Sequence, residues 1–154
     1  MPLLPMVLCQ DLARALSTSA PSHGAAAAKL AAAYARYAAG ATAGAFPWVP
    51  TGQEEARLRR ALAAALGPSG APPIVGAAWV LGLTQFWLLP PVPFATGLVT
   101  AMPGAVALAP AITTALLNPR NTSGAAAARL ASALDAATRT VLVTIPPSGP
   151  VPLV

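Results

Sequence analysis

The sequence has few charged side chains, and this scarcity limits the kinds of surface that the protein can present. Only 8% of its 154 residues are Asp, Glu, Lys or Arg, against about 25% in an ordinary globular domain. The range 61–119 contains none of them. A domain of this size with so little charge has difficulty covering itself with polar surface, and large exposed apolar patches mark interaction surfaces. We therefore expect a subunit that buries apolar surface against other protein.

Groups that carry out catalysis or bind metals are also scarce. The chain has one histidine, one cysteine and four acidic residues, too few for a cluster of titratable groups or a zinc site. His23 precedes a predicted helix, where a capping or exposed position suits it better than the role of a general base. Cys9 has no second cysteine with which to form an internal disulfide. We expect no enzyme, no cofactor and no metal, and we assign no catalytic, cofactor-binding or metal-binding residue.

The positive charge is too dispersed to indicate a reader of nucleic-acid sequence. Among the residues that give the net charge of +5, the one basic cluster is Arg57, Arg59 and Arg60, which Glu54 and Glu55 partly offset. Sequence-specific readers usually present a clustered basic face with interleaved aromatic side chains. We therefore expect no sequence-specific nucleic-acid partner, although a weak and non-specific attraction to phosphate stays open.

Local patterns predict a single, mainly α-helical domain over residues 1–154. Leu30, Tyr34 and Tyr37 recur at helical spacing, and Thr51 followed by Glu54 has the pattern of a capping box that opens a helix. Near the C-terminus apolar residues alternate, which is typical of a strand. The predicted helices are 5–16, 24–39, 52–66, 74–89, 111–117 and 124–137, and the predicted strand is 140–145.

Prolines divide the uncharged range 61–119 into short pieces. Its longest run without proline is 74–89, where periodicity fits a buried helix or two buried strands and length favours the helix. That run is slightly shorter than the 18 or so apolar residues that span a bilayer, and non-helical backbone facing lipid would leave polar groups unsatisfied. Burial against protein is therefore favoured. The alternative is a small integral membrane subunit with an imperfect helical pair at 74–117.

Large apolar side chains of the centre and the C-terminal strand are the predicted contact residues. Aromatic side chains dominate interface energetics when they are buried, but the same residues fit the chain's own core equally well. The residues are Phe86, Trp87, Leu88, Leu89, Val92, Phe94, Val141, Val143 and Ile145.

The predicted strand 140–145 is expected at the edge of a sheet. Pro146 and Pro147 follow it directly, and proline cannot donate to a sheet ladder. Such an edge has unpaired backbone groups that can pair with another chain. Its partner is either a neighbouring subunit or a strand within 94–106.

One short segment occurs twice. Residues 24–31 (GAAAAKLA) recur as 124–131 (GAAAARLA). Segments of low complexity resemble one another through composition alone, and alanine content explains this match better than duplication does.

Three features together resemble small virion proteins of tailed bacteriophages with GC-rich genomes. They are an alanine-rich helical start, the uncharged centre FWLLPPVPF (86–94) and the closing segment ALDAATRTVLVT (133–144). The resemblance covers the second half of the chain and points to parts of the neck, tail or baseplate. It implies a non-enzymatic building block of the virion whose partners are copies of itself and other virion proteins. A membrane enters only under the alternative above.

Replacing Trp87 by alanine should prevent folding or assembly. Truncating a well-buried aromatic side chain costs about 3–5 kcal/mol, a large share of the stability of a small domain. Thermal unfolding of the Trp87→Ala variant measures this loss. An unchanged melting temperature in a normally assembled variant would mean that Trp87 is exposed.

Overall fold

The computed structural model describes residues 3–67, 70–88, 94, 97–118 and 122–154. Within these ranges the protein is mainly α-helical with short strands, as predicted. The helices are α1 (Pro5–Ser17), α2 (His23–Ala38), α3 (Gln53–Ala65), α4 (Pro72–Leu88), α5 (Ala105–Leu117) and α6 (Ser123–Arg139). The strands are β1 (Thr42–Ala43), β2 (Phe46–Pro47), β3 (Leu98–Ala101), β4 (Leu142–Ile145) and β5 (Gly149–Pro152).

The helices form a closed ring around one core. Each helix packs against the next one in the sequence, and α6 returns to pack against α1. Helices joined by short loops run antiparallel, as in the pairs α1–α2, α3–α4 and α5–α6. Hydrogen bonds join Tyr34, Trp87 and Thr138 near the C-termini of α2, α4 and α6, so these C-termini lie at the same end of the ring. Strands follow each of these C-termini, and we call this end the strand end. The opposite end, where α1, α3 and α5 finish, is the loop end.

The ring consists of three similar units, each made of two helices followed by β-structure. The first helix of every unit has the same length, 13 residues, and its buried leucines recur at equal intervals in the numbering. The equivalent buried residues of the three units are Leu8, Leu58 and Leu108; Leu12, Leu62 and Ile112; Leu30, Trp79 and Leu130; and Tyr34, Leu83 and Leu134. The units are therefore arranged with approximate threefold symmetry.

The short segment that occurs twice follows this arrangement. Residues 24–31 and 124–131 open the second helices of the first and third units. Ser22 caps α2 by accepting a hydrogen bond from the Ala25 N–H, and Thr122 caps α6 from the Ala125 N–H in the same way. The two copies of the segment therefore lie at equivalent positions of two units. A match that arose from alanine content alone would not need to do so.

The C-terminal sheet corrects one expectation and decides between two others. Its order is β3-β4-β5, with both pairs antiparallel, so the strand predicted at 140–145 pairs within the chain, with a strand inside 94–106. The expectation that it lies at an edge is wrong, because β4 is the central strand. The chain turns back after Ile145 and returns as β5, which places Pro150 and Pro152 in an edge strand, where proline is tolerated.

Helix α5 is longer than the predicted helix 111–117. It begins at Ala105 and includes Pro110, whereas the predicted helix began only after that proline. Proline removes one hydrogen bond, to the carbonyl four residues earlier, and that carbonyl belongs to Val106, which is 87% exposed and so accessible to water. The hydroxyls of Thr113 and Thr114 donate to the carbonyls of Ala109 and Pro110 in the following turn. The other helix boundaries lie within about two residues of prediction, since helix ends fray by that much.

The capping box predicted before α3 is formed in part. The Thr51 N–H donates to Glu54 Oε2 at 3.1 Å, as the motif requires. The Thr51 hydroxyl, however, donates to Glu54 Oε1 at 2.7 Å and accepts only a long bond, 3.4 Å, from the Gln53 N–H. These bonds satisfy the Glu54 carboxylate, which is buried.

Two glycines of α4 allow its neighbours to approach closely. A methyl group on Gly76 would lie 2.8 Å from both Ala109 O and Thr113 Oγ1 of α5, and one on Gly82 would lie 2.6 Å from Leu58 Cδ1 of α3. The equivalent positions of α2 and α6 hold alanine. Helix α4, which supplies the largest side chains of the core, is therefore held tightly between its two neighbours.

We expect Gly76→Ala to destabilise the protein by about 1–3 kcal/mol, the usual cost of overpacking. The clash involves the Ala109 carbonyl, which belongs to the backbone and cannot rotate away. Gly24→Ala is the matched control, because its methyl group would meet only Ser22 Oγ, at 3.8 Å. The control should leave the free energy of unfolding unchanged or raise it by up to about 1 kcal/mol, because alanine favours a helix more than glycine does. Equal melting temperatures for the two variants would contradict the close packing of α4 against α5.

Candidate functional site on the axis of the ring

Aromatic side chains fill the axis of the ring towards the strand end. Phe86 lies at the centre of this group, with ring centroids 5.2 Å from Tyr34, 5.2 Å from Trp48 and 5.1 Å from Trp87. Phe94 continues the group beyond Trp87. The three contacts of Phe86 are edge-on or tilted and that between Trp87 and Phe94 is stacked; aromatic pairs prefer edge-on and offset-stacked arrangements.

The structure decides whether the predicted contact residues belong to the core. Six of them are buried inside the chain itself: Phe86, Trp87, Phe94, Val141, Val143 and Ile145. Leu88 is half-buried, while Leu89 and Val92 lie outside the described residues. The core alternative therefore holds for the six buried residues, and their side chains are not available to a partner.

A chain of hydrogen bonds crosses the aromatic group. Trp87 Nε1 donates to the Tyr34 hydroxyl at 2.8 Å, and the Tyr34 and Thr138 hydroxyls are 2.6 Å apart. Thr138 Oγ1 donates its one proton to Leu134 O at 2.7 Å, so Tyr34 is the donor in the bond between the two hydroxyls. Each of the three side chains comes from a different unit. Sequence reasoning missed this chain, because its members are far apart and Thr138 looks like an ordinary helix residue.

A second polar group lies beside the first. The Tyr37 hydroxyl donates to Asp135 Oδ1 at 2.5 Å, and Arg139 Nε donates to Asp135 Oδ2 at 2.9 Å. Burial raises the pKa of both tyrosines, and the bond to Asp135 raises that of Tyr37 further. The bond to Asp135 also raises the pKa of Arg139. These polar groups join α2 to α6 and have a structural role.

Among the remaining titratable groups that the structure describes, Asp11 forms ion pairs with Arg14 and Arg36. Across the described ranges there is no cluster of three or more His, Cys, Asp or Glu side chains. His23 is exposed at the first turn of α2, and Cys9 is half-buried on α1. Arg57, from the predicted basic cluster, donates to the Gln85 carbonyl of α4 and to Gln53, while Arg59 and Arg60 are exposed.

An apolar pocket occupies the axis at the loop end. Its volume is about 290 Å³, and its lining includes the equivalent residues of all three units. They are Leu16, Leu66 and Leu116 from the first helices and Leu30, Trp79 and Leu130 from the second helices, completed by Gly70, Pro72 and Val75. Trp79 and Leu130 are buried and form the floor, whereas Leu16 is exposed at the rim. No sequence pattern indicates this pocket, because its residues come from segments some fifty positions apart and most of them look like ordinary core leucines.

A second surface without charge lies on the outside of the ring. Helices α4 and α5 pack against each other. Their outward faces together form this surface, which we call the uncharged wall. Its large exposed side chains are Ile74, Leu81, Val106 and Leu117. Leu81 is 53% exposed near the middle of α4. Both helices fall within the range 61–119, so no charged side chain is present on either.

Comparison with known proteins gives no relative: no family model, no curated protein and no solved structure matches this chain. Among the helices that the structure describes, none combines the length and the apolar character needed to cross a membrane.

We expect the two tyrosines to resist ionisation until the protein unfolds in alkali. Their ordinary pKa is 10.0 and the folded state raises it. The contribution of the two protonated tyrosines to the free energy of unfolding is therefore fully present below pH 10, and it falls as the pH rises beyond that value. Tyr34 and Tyr37 are the chain's only tyrosines, so near-ultraviolet phenolate absorbance reports them without interference. Phenolate should appear together with the loss of circular dichroism. Reversible ionisation near pH 10 with the helices intact would contradict this assignment.

Proposed function

We propose that the protein is a non-enzymatic structural subunit of a tailed-phage particle or a related contractile assembly. It docks onto copies of itself or onto other virion proteins through the uncharged wall. The observation that carries this proposal is the exposure of large apolar side chains on two adjacent helices that bear no charge.

The uncharged range has two roles in the fold. Its inward side chains, among them Trp79, Leu83 and Ile112, fill the core. Its outward side chains remain exposed on the wall. Core burial therefore explains only part of the missing charge, and the outer part is explained by contact with another protein, since the buried centre of an interface is depleted in charged residues.

The wall is also suited to docking by its rigidity. Gly76 brings α4 against the backbone of α5, and the core residues of both helices are fully buried. A preformed surface loses little conformational freedom on association, which leaves more of the contact energy for binding. A specific interface buries at least about 1,000 Å² in total, and this is the contact area that the proposal requires.

The polar groups of the core support a structural role over a catalytic one. Tyr34, Thr138 and Asp135 each bond to side chains or carbonyls of the protein itself. Groups engaged in this way hold the units together and have no free position for a substrate.

Placing a charge on the wall should prevent assembly without unfolding the chain. In Leu81→Lys an ammonium group would have to be buried at the contact without a partner, and that penalty should weaken association by at least about tenfold. Ser132→Lys is the matched control, because Ser132 is exposed on α6, on another side of the ring. Light scattering after size-exclusion chromatography measures the assembly, and circular dichroism verifies the fold.

Two results would refute the proposal. One is a wild-type protein that stays monomeric at high concentration and does not travel with particles when the source material is fractionated. The other is a Leu81→Lys variant that assembles as the control does.

A further inference from the structure

The geometry points to a ligand-binding function for the loop-end pocket, with a small, uncharged, apolar molecule as the ligand: an aromatic compound of one or two rings or a short alkyl compound. This inference does not rest on the proposed function, because the pocket and the uncharged wall are lined by different residues. Nothing in the chemistry of the wall requires the pocket to be filled.

The lining selects the class of ligand. Its described residues are five leucines with one tryptophan, one valine, one proline and one glycine, and none of these carries an ionisable side chain. A charged or strongly polar molecule would lose its hydration on entry without gaining a counter-charge, at a cost of several kcal/mol. An apolar molecule is favoured on entry because it removes both its own surface and that of the leucines from water.

The volume sets the size of the ligand. An apolar cavity of about 150 Å³ in another protein stays dry and binds benzene or xenon. The present pocket, at about 290 Å³, has roughly twice that space. If it stays empty, the side chains around it forgo dispersion contacts that close-packed interiors normally make.

The pocket exists because the two halves of the axis are filled differently. Towards the strand end, Tyr34, Phe86 and Trp87 occupy the centre. Towards the loop end, the units contribute leucines that surround the axis without reaching across it. Trp79 separates the two halves: its ring lies 6.2 Å from that of Tyr34 on one side and forms the floor of the pocket on the other. A ligand in the pocket would therefore contact an indole that reports its presence.

The rim provides the means of entry. Leu16 and Gly70 are exposed, and Leu66 and Leu116 are half-buried, whereas the floor residues are almost inaccessible to solvent. A small molecule can therefore approach from the loop end without unfolding of the core.

Toluene is a suitable probe, with benzylammonium as its charged counterpart of similar shape. We expect toluene to shift the indole N–H resonance of Trp79 saturably and to raise the melting temperature with concentration, as a ligand of the folded state does. Benzylammonium should do neither. Assigning the resonance through Trp79→Phe distinguishes it from those of Trp48 and Trp87.

Filling the pocket from the rim tests its location. In Leu66→Trp an indole would occupy the space from the second unit, and in Leu116→Trp it would do so from the third. Each variant should fold with wild-type circular dichroism and bind toluene at least about tenfold more weakly. Two variants from different units guard against the failure of either one to fold. Ser132→Lys, on the outer surface, should bind toluene as the wild type does.

Three results would overturn the inference. The first is the absence of a saturable response to toluene up to its solubility limit. The second is equal binding by the wild type and a folded, pocket-filled variant. The third is that the free chain binds toluene but the native assembly does not. That result would mean that an apolar side chain of a partner protein fills the pocket. The Leu81→Lys variant separates the two proposals, since loss of assembly with normal toluene binding would leave the pocket assignment intact.

Discussion

The buried hydroxyl of Tyr34 is the polar group on which closure of the ring depends. It accepts a hydrogen bond from Trp87 Nε1 of the second unit and donates one to the Thr138 hydroxyl of the third, so each of the three units contributes one member. A buried polar group that loses its partner costs about 1–3 kcal/mol. An arrangement of the three units that separates these groups would therefore leave at least two of them unsatisfied. Apolar packing alone has no such directionality, and the hydrogen-bond chain specifies how the second helices face one another.

The rest of the core is built around that chain by a division of large and small side chains. Helix α4 supplies Trp79, Phe86 and Trp87, while α2 and α6 carry mostly alanine at their other buried positions. Bulky side chains from one helix need small ones opposite to reach the density of a protein interior. Gly76 and Gly82 meet the same need on the flanks of α4. The alanine-rich composition thus reflects a core in which one unit fills the space that the other two leave open.

Local structure was predictable from the sequence, but the arrangement of the units was not. Caps, leucine spacing and alternation gave the helices and the strand β4, because these signals lie within a few residues of one another. The strand order was not predictable, because Pro150 and Pro152 do not end the sheet. They lie in its edge strand β5, and β4 is therefore central. The threefold arrangement was hidden because the middle unit has PIVGAAWV (73–80) where the other two units have the alanine segment. Burial of Phe86 and Trp87 was expected, but an apolar pattern is the same for a core and for a contact. The axial pocket requires equivalent residues from three distant segments, which no local pattern brings together.

The symmetry of the core does not extend to the surface, and this difference bears on assembly. Leucines recur in all three units, yet the charged side chains that the structure describes lie on α1, α2, α3 and α6 and are absent from α4 and α5. A molecule with three equivalent faces would dock in three orientations with equal affinity. Confining the two helices without charge to one side of the ring favours one orientation, since docking through the other sides would bury charged side chains. Under the proposed function a subunit would have to be added to the particle in one orientation, and the distribution of charge around this ring would provide that selection.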